Sequence, residues 1–370
     1  MAGIYIHIPF CKSRCIYCGF YSTVNMELRQ RYVDAVCREM ELRRAECKCD
    51  IHTIYIGGGT PSQLTVGQLR QLSDALSLYN KVEPDAEVTV ECNPDDVTEE
   101  FAASLKQLGV NRVSMGAQTF SDELLRFLHR RHTAAQVPEA VRRLRDAGIR
   151  NISIDLMYGF PGETLDDWQR DIDAALALNV EHLSAYCLMI EEGTVLYELM
   201  NKEQIIKNNE ETERQMYEML INRLTADGYE HYEISNFAKP DYRSKHNSSY
   251  WQDIPYIGLG AAAHSYDLRS RSWNVADIHQ YIEAIEHGEL PSESETLDED
   301  THYNDRITTA LRTSDGLDLT TLSNRHRRYC LREAQRFLDD RLLRLTDNSL
   351  ILTRKGLFVS DMVMSSLMLV

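Results

Sequence analysis

The sequence predicts an α/β fold with a parallel sheet, followed by a smaller, mostly helical C-terminal domain. Three observations carry this. Over roughly the first 265 residues, short β-rich runs alternate with stretches whose apolar residues recur at helical spacing. Each strand–helix unit occupies roughly 30–40 residues, which suits right-handed crossovers between parallel strands. Beyond residue 285 the composition turns polar and the pattern changes to helices and a hairpin. A doubly wound sheet and a full or partial β/α barrel both satisfy the first part.

The elements follow in order. Residues 4–8 form a short strand, and helical spacing covers residues 26–46. Residues 51–56 are the second strand, which ends in Gly57-Gly58-Gly59-Thr60-Pro61. Thr65 and Gln68 have the spacing of a capping box, and Leu69, Leu72 and Leu76 share a face of the helix it opens. Strands at 87–91, 112–115, 152–156 and 182–187 are separated by helical triplets: Phe101, Leu105 and Leu108; Val137, Val141 and Leu144; Trp168, Ile172 and Leu176. Cys11, Gly58, Glu91, Gln118 and Asp155 fall at or just past strand C-termini, where both architectures carry their sites. Residues 291–296 read as an acidic connector between a first domain, 1–285, and a second, 286–370. In the second, a hairpin at 342–352 and one amphipathic helix at 355–368 suggest a winged-helix-like shape.

Forty basic and fifty-seven acidic residues give a net charge of −17, which argues against broad binding to nucleic acid or to anionic membranes. No apolar run is long enough for a transmembrane segment, and the first residues lack the pattern of a secretory signal. A cytoplasmic chain with reduced thiols is expected. Its nine cysteines then need another explanation, since an odd count suits no closed disulfide set.

Cys11-x-x-x-Cys15-x-x-Cys18 is the strongest signal, with a chance expectation of about 0.005 for this composition. Three thiolates from one loop can hold three irons of a [4Fe–4S] cluster and leave the fourth iron open to a small molecule. Zinc with His7 as fourth ligand, or three inert buried cysteines, are the alternatives. Cys37, Cys47, Cys49, Cys92, Cys187 and Cys330 read as small buried hydrophobes, with Cys47-x-Cys49 the pair to watch.

Further motifs stand in order along the chain. They are Tyr5-x-His7-x-Pro9-Phe10 before the cysteines, Gly57-Gly58-Gly59-Thr60-Pro61, and Glu91-Cys92-Asn93-Pro94. Then come Arg112-Val113-Ser114-Met115-Gly116-Ala117-Gln118 and Asp155-Leu156-Met157-Tyr158-Gly159-Phe160-Pro161-Gly162. With these the sequence resembles the radical S-adenosylmethionine (SAM) superfamily. Within it, the resemblance is to the branch of oxygen-independent coproporphyrinogen III oxidases and heme chaperones. It implies a partial (β/α)6, TIM-like barrel with the winged-helix-like domain behind it. It also implies that Cys11, Cys15 and Cys18 hold a [4Fe–4S] cluster. Gly58, Gly59 and Thr60 would receive the methionine end of SAM, Tyr5 and Tyr17 would flank it, and Glu91, Gln118, Arg130 and Asp155 would line the same cavity. Met189 and Ala263 would wall the adenine. The family chemistry is one-electron reduction of SAM to methionine and a 5′-deoxyadenosyl radical.

Two departures separate this chain from the oxidases. Phe20 stands where they carry a fourth cysteine, and the first strand begins without their long extension. His246-Asn247-Ser248-Ser249-Tyr250-Trp251 instead fits the His-Asn-x-x-Tyr-Trp motif of the heme chaperones, so His246, Asn247, Tyr250 and Trp251 are implied heme contacts. A polar loop with aromatic anchors is the other reading of that segment, and His7 and His264 are weaker candidates. The resemblance thus implies a chaperone that binds heme and passes it to apo-hemoproteins, including respiratory ones at the membrane. Whether SAM is cleaved stays open, as does the oligomeric state, a homodimer included. Arg325, Arg327, Arg328, Arg332, Arg336, Arg341 and Arg344 crowd the C-terminal domain. A basic winged helix could bind DNA, but the overall charge opposes it, and protein docking or covering of the site is expected instead.

Overall fold

Isoleucine at every second position of the first strand sets the plan of the whole sheet. In the computed structural model, which describes residues 2–46 and 50–369, Ile4, Ile6 and Ile8 of strand β1 (Ala2–Ile8) point into the main hydrophobic core, while Tyr5 and His7 point the other way. The same two-faced pattern repeats in β2 (Ile51–Gly58), β3 (Val82–Cys92), β4 (Arg112–Gln118), β5 (Asn151–Tyr158) and β6 (His182–Cys187). Helices α1 (Arg29–Leu42), α2 (Val66–Tyr79), α3 (Glu99–Gln107), α4 (Asp122–Phe127), α5 (Gln136–Asp146) and α6 (Leu165–Ala177) are the crossovers. The capping box of Thr65 and Gln68 is present at the start of α2. The Cys47-x-Cys49 pair lies outside the described residues.

The sheet is larger than the sequence suggested. After α7 (Val195–Asn201) and α8 (Glu210–Ala226), the short strands β7 (Glu230–Glu233) and β8 (Asn236–Ala238) pair antiparallel on the β6 side. Helix α9 (Lys245–Trp251) then leads to β9 (Tyr256–Leu259), which joins the other side of β1 in parallel. Strands β10 (His264–Tyr266), β11 (Ser270–Asn274) and β12 (Ser292–Thr296) extend that side, with α10 (Ile278–Glu286) between the last two. The order is β12-β11-β10-β9-β1-β2-β3-β4-β5-β6-β8-β7, so the barrel is partial; β12 ends one side, while the end of β7 is bridged antiparallel to Thr313 of the C-terminal unit. Residues 291–296, expected to be a connector, are therefore mostly an edge strand. Its five residues are exposed, and Glu293 and Glu295 place charges that discourage further pairing.

The C-terminal unit has its own core, from Tyr303 to Leu367. It comprises α11 (Glu299–Ala310), β13 (Leu317–Asp318), α12 (Asn324–Asp339), β14 (Leu343–Thr346) and β15 (Ser349–Leu352), with the sheet order β13-β15-β14. The single terminal helix of the sequence reading is two, α13 (Arg354–Leu357) and α14 (Ser360–Leu367), because Val359 leaves helical geometry. Arg306 and His302 reach Asp253 just past α9, and Arg312 reaches Glu233 at the end of β7, so this unit braces α9 and the β7–β8 edge. Among the described residues, no helix is long and apolar enough to cross a membrane.

One buried carboxylate ties the β9 side together. Glu39 of α1 is fully buried and accepts from Tyr281 Oη at 2.6 Å, Gly260 N at 2.8 Å and Asn274 Nδ2 at 2.8 Å, with Arg43 Nη1 at 3.4 Å. Replacing it by alanine leaves three buried donors without their acceptor and takes from Arg43 one of its two carboxylates, the other being Glu46 at 2.8 Å. Glu39→Ala is expected to cost about 3–5 kcal/mol in urea unfolding, and a cost below about 1 kcal/mol would contradict this role.

Candidate functional site

The cysteine loop follows β1 directly and is held at both ends by backbone pairing. Cys11 N donates to Thr23 O at 2.9 Å, Thr23 N to Pro9 O at 2.7 Å, and Ile16 N to Leu128 O at 3.3 Å. Phe10 and Ile16 are buried anchors, whereas Lys12, Ser13 and Arg14 are exposed. Cys11, Cys15 and Cys18 are each half-buried, with Cys11 Sγ 3.5 Å from Thr60 Oγ1 and Cys15 Sγ accepting from Arg130 Nη1 at 3.5 Å. Burial pushes the thiols of Cys11 and Cys18 up, so binding as thiolates would need a cation such as iron. Among the described residues no three histidine, cysteine or acidic side chains converge on one metal ion. A four-iron cluster does not need that convergence, since each thiolate takes a different iron.

The glycine run is built for close approach. A Cβ on Gly58, whose φ is +109°, would lie 2.7 Å from the His7 ring, and one on Gly59 would lie 2.8 Å from the Pro9 carbonyl carbon and 3.0 Å from Cys11 Sγ. These residues are glycines because β1 and its loop press against them, a requirement separate from any ligand contact. Glu91 on β3 is fixed from the same run, accepting from Gly58 N at 3.0 Å and from Tyr55 Oη at 2.7 Å. Burial, with Asp155 nearby, raises its carboxyl to about 7 despite those two donors.

The other residues expected to meet SAM gather on this end of the barrel. Arg130 donates to Asn93 Oδ1 at 2.9 Å and to Gly116 O at 2.6 Å, while Gln118 closes β4 at a bulge with φ +66°. Asp155 accepts from Ser114 Oγ at 3.3 Å, and burial raises its carboxyl as well. Tyr5 donates to or accepts from His7 Nδ1 at 3.0 Å, and burial raises the phenols of Tyr5 and Tyr17. Ala263 is buried in the turn after β9, which emerges beside the cysteine loop because β9 and β1 are parallel. Met189 differs in exposure: two residues past β6, at the same end, its side chain is 68% exposed on the rim.

The His246 segment lies elsewhere. Helix α9 sits against the N-terminal halves of β1, β2 and β3, at the end opposite the cysteine loop. His246 is 1% exposed. Its Nδ1 pairs with Thr53 Oγ1 at 2.8 Å, its Nε2 with Tyr250 Oη at 2.8 Å, and its backbone N donates to Glu87 at 3.0 Å. The ring stacks on Tyr55 at 5.1 Å, and burial lowers its pKa to about 3. Both nitrogens are bonded within the protein, and these bonds fix α9, which carries the implied heme contacts, under the barrel. Tyr250 supplies one of those bonds, Trp251 packs edge-on to Tyr232, and Asn247 stays half-buried as part of the helix cap.

The sequence reading missed the polar lining between the two ends. Thr53, Tyr55, Glu87, Thr89, Arg112 and His182 share the parity of Tyr5 and His7 on their strands, and that alternation was the available signal. Thr89, Arg112 and Asn151 stand in register across β3, β4 and β5, and Thr89 Oγ1, Arg112 Nε and Asn151 Oδ1 are buried without partners. Arg130 Nε is a fourth such atom. Buried polar atoms ordinarily find partners, so a lumen with these orphans suits a polar ligand or ordered water.

The raised Glu91 carboxyl has a measurable sign. Its folded value is about 7 against an ordinary 4.5, so between these values the folded chain holds a proton that the unfolded chain releases. Wild type is therefore expected to lose up to about 3 kcal/mol relative to Glu91→Gln as pH rises through that window. Urea unfolding of both proteins across it checks this, and parallel stability curves would contradict it.

Comparison with known proteins agrees with this geometry. The radical SAM superfamily model matches residues 5–175. Heme chaperone HemW of Bacillus subtilis (strain 168) is 42% identical over 288 residues, 77% of this chain and 76% of that protein. Heme chaperone HemW of Mycobacterium tuberculosis (strain H37Rv) is 34% identical over 372 residues, 99% of this chain and 94% of that protein. Among solved structures, the coproporphyrinogen III oxidase HemN of Escherichia coli, a radical SAM enzyme, superposes with a TM-score of 0.85 at 21% identity, covering 99% of this chain and 89% of that one. This likeness shows the shared fold. By its identity to the HemW proteins, the chain belongs to the radical SAM superfamily, in the HemW branch.

Proposed function

We propose that the chain is a cytoplasmic heme chaperone, which binds heme and delivers it to apo-hemoproteins, membrane-bound respiratory proteins among them. The observation that carries this is end-to-end identity, 34% over 99% of the chain, to a protein named as a heme chaperone. A second supports it. Phe20, where the resemblance to the oxidases expects a fourth cysteine, is 72% exposed beside the cluster loop and offers no ligand.

The donors present suit the two resident groups of the family. Cys11, Cys15 and Cys18 would hold three irons and leave one open, with Arg130 beside Cys15 and Thr60 beside Cys11. SAM would lie across the same end, against the backbone of Gly58, Gly59 and Thr60. Glu91, Gln118, Arg130 and Asp155 would receive its polar groups, Tyr5 and Tyr17 would lie on the cluster side, and Ala263 would pack on its adenine. A reduced cluster supplies SAM with one electron. The protein's own part is to hold the three thiolates, keep Glu91 and Asp155 aimed inward, and leave Arg130 Nε free for a ligand.

Anaerobic reconstitution is expected to give about four irons per chain, with none retained in a Cys11/Cys15/Cys18→Ala variant. The reconstituted protein should bind heme and transfer it to an apo-hemoprotein, and should leave coproporphyrinogen III unchanged. Stoichiometric formation of protoporphyrinogen would overturn the chaperone reading in favour of a decarboxylating dehydrogenase.

A further inference from the structure

We infer that Arg130, held in place by Asn93 and Gly116, donates from Nη1 to Cys15 Sγ and that its uncancelled positive charge raises the reduction potential of the cluster. This rests on the cluster reading above and assigns Asn93 as the positioning residue. Arg130 leaves the turn after α4, where its backbone N donates to Leu125 O at 2.8 Å and His129 takes a φ of +59°. Its Nη2 donates to Gly116 O at 2.6 Å and to Asn93 Oδ1 at 2.9 Å, and Nη1 then stands 3.5 Å from Cys15 Sγ. A guanidinium is a rigid planar fork, so two bonds on one nitrogen limit where the other can go.

The supports are themselves fixed. Asn93 precedes Pro94 and stays extended, with a ψ of 145°. Its backbone N donates to Ser62 Oγ at 3.2 Å, and Ser62 Oγ donates to Asp96 Oδ2 at 2.7 Å. Gly116 lies on β4, and a Cβ there would stand 3.3 Å from Arg130 Nη2 and crowd it. Helix α4, β3 and β4 thus converge on one side chain beside the cysteine loop.

The charges around Arg130 make the contact electrostatic as well as mechanical. The neighbouring carboxylates of Asp95 and Asp96 are engaged by Arg131, at 3.0 and 2.8 Å. Position 93 presents a neutral amide, whose oxygen faces Arg130 because a guanidinium only donates. Among the described residues Arg130 forms no ion pair, so its permanent charge stands beside Cys15 uncancelled. Cys11 has instead the neutral Thr60 hydroxyl at 3.5 Å. Reduction adds one negative charge to a four-iron cluster, so a cationic donor to a ligating sulfur favours the reduced state. Arg130 Nε stays without a partner, which leaves that edge of the same side chain for a ligand.

The test is potentiometric titration of the anaerobically reconstituted chain without SAM, following the reduced cluster by electron paramagnetic resonance. Asn93→Asp is nearly isosteric, still accepts from Nη2 and cancels the charge, whereas Arg130→Gln removes it. Each is expected to destabilise the reduced cluster at least about tenfold, a fall of about 59 mV, with iron content and circular dichroism as in wild type. Potentials equal to wild type in both variants would overturn the assignment while the cluster reading stands. Wild type alone gives a second test, which holds even where a variant takes up no cluster. With isotopically labelled arginine, hyperfine spectroscopy should show a nitrogen coupled to the reduced cluster, and its absence would overturn the contact. If wild type holds no four-iron cluster, the cluster reading falls together with this one.

Discussion

The contact on which the rest of the structure depends is the one between the end of β2 and the loop leaving β1. Two missing Cβ atoms, at Gly58 and Gly59, let β2 run beneath His7, Pro9 and Cys11 at distances no other residue permits. That approach positions the cysteine loop over the barrel mouth, brings Thr60 to Cys11, and points the Gly58 amide at Glu91. Cluster loop, glycine turn and carboxylate are thus one mechanical unit. A side chain at Gly59 would press on the Pro9 backbone, and one at Gly58, whose φ is +109°, would both strain the turn and displace the buried His7 ring.

Beneath that unit the barrel is polar through its centre. Parallel sheets covered on both faces usually read as continuous apolar strands, and these do not. Their outer faces are isoleucine, valine and leucine with Met115, Ala117 and Ala185, whereas the inner faces carry hydroxyls, two carboxyls that burial raises, and the Arg112 guanidinium. Such a lumen costs stability unless its groups are satisfied. Most are, by pairs such as Tyr55 with Glu91 and Ser153 with His182. The unsatisfied atoms of Thr89, Arg112, Asn151 and Arg130 mark where the polar interior is incomplete without a ligand or water.

Much of this was legible in the sequence, for identifiable reasons. Strands β1, β2, β3 and β5 carry β-branched runs, and residues 182–187 are a strand to the residue. Thr65 and Gln68 cap a helix as their spacing requires. The cysteine triad and the residues at the strand ends do meet at one mouth. What escaped was set by tertiary context. Strands β7 to β12 are only three to five residues long, too short for an alternation to show, and they are strands because a neighbouring edge pairs with them. The His246 motif names residues whose contacts it does not give. Only the contacts to Thr53 and Tyr250 show an imidazole with no nitrogen to spare.

The central claim is that three cysteines hold a cluster with one iron left open toward SAM in the barrel mouth. Electron paramagnetic resonance of the reduced, reconstituted protein before and after addition of SAM tests this most directly. The account predicts a [4Fe–4S] signal whose shape changes when SAM binds the open iron. A spectrum identical with and without saturating SAM, or one that shows no four-iron cluster, would contradict it.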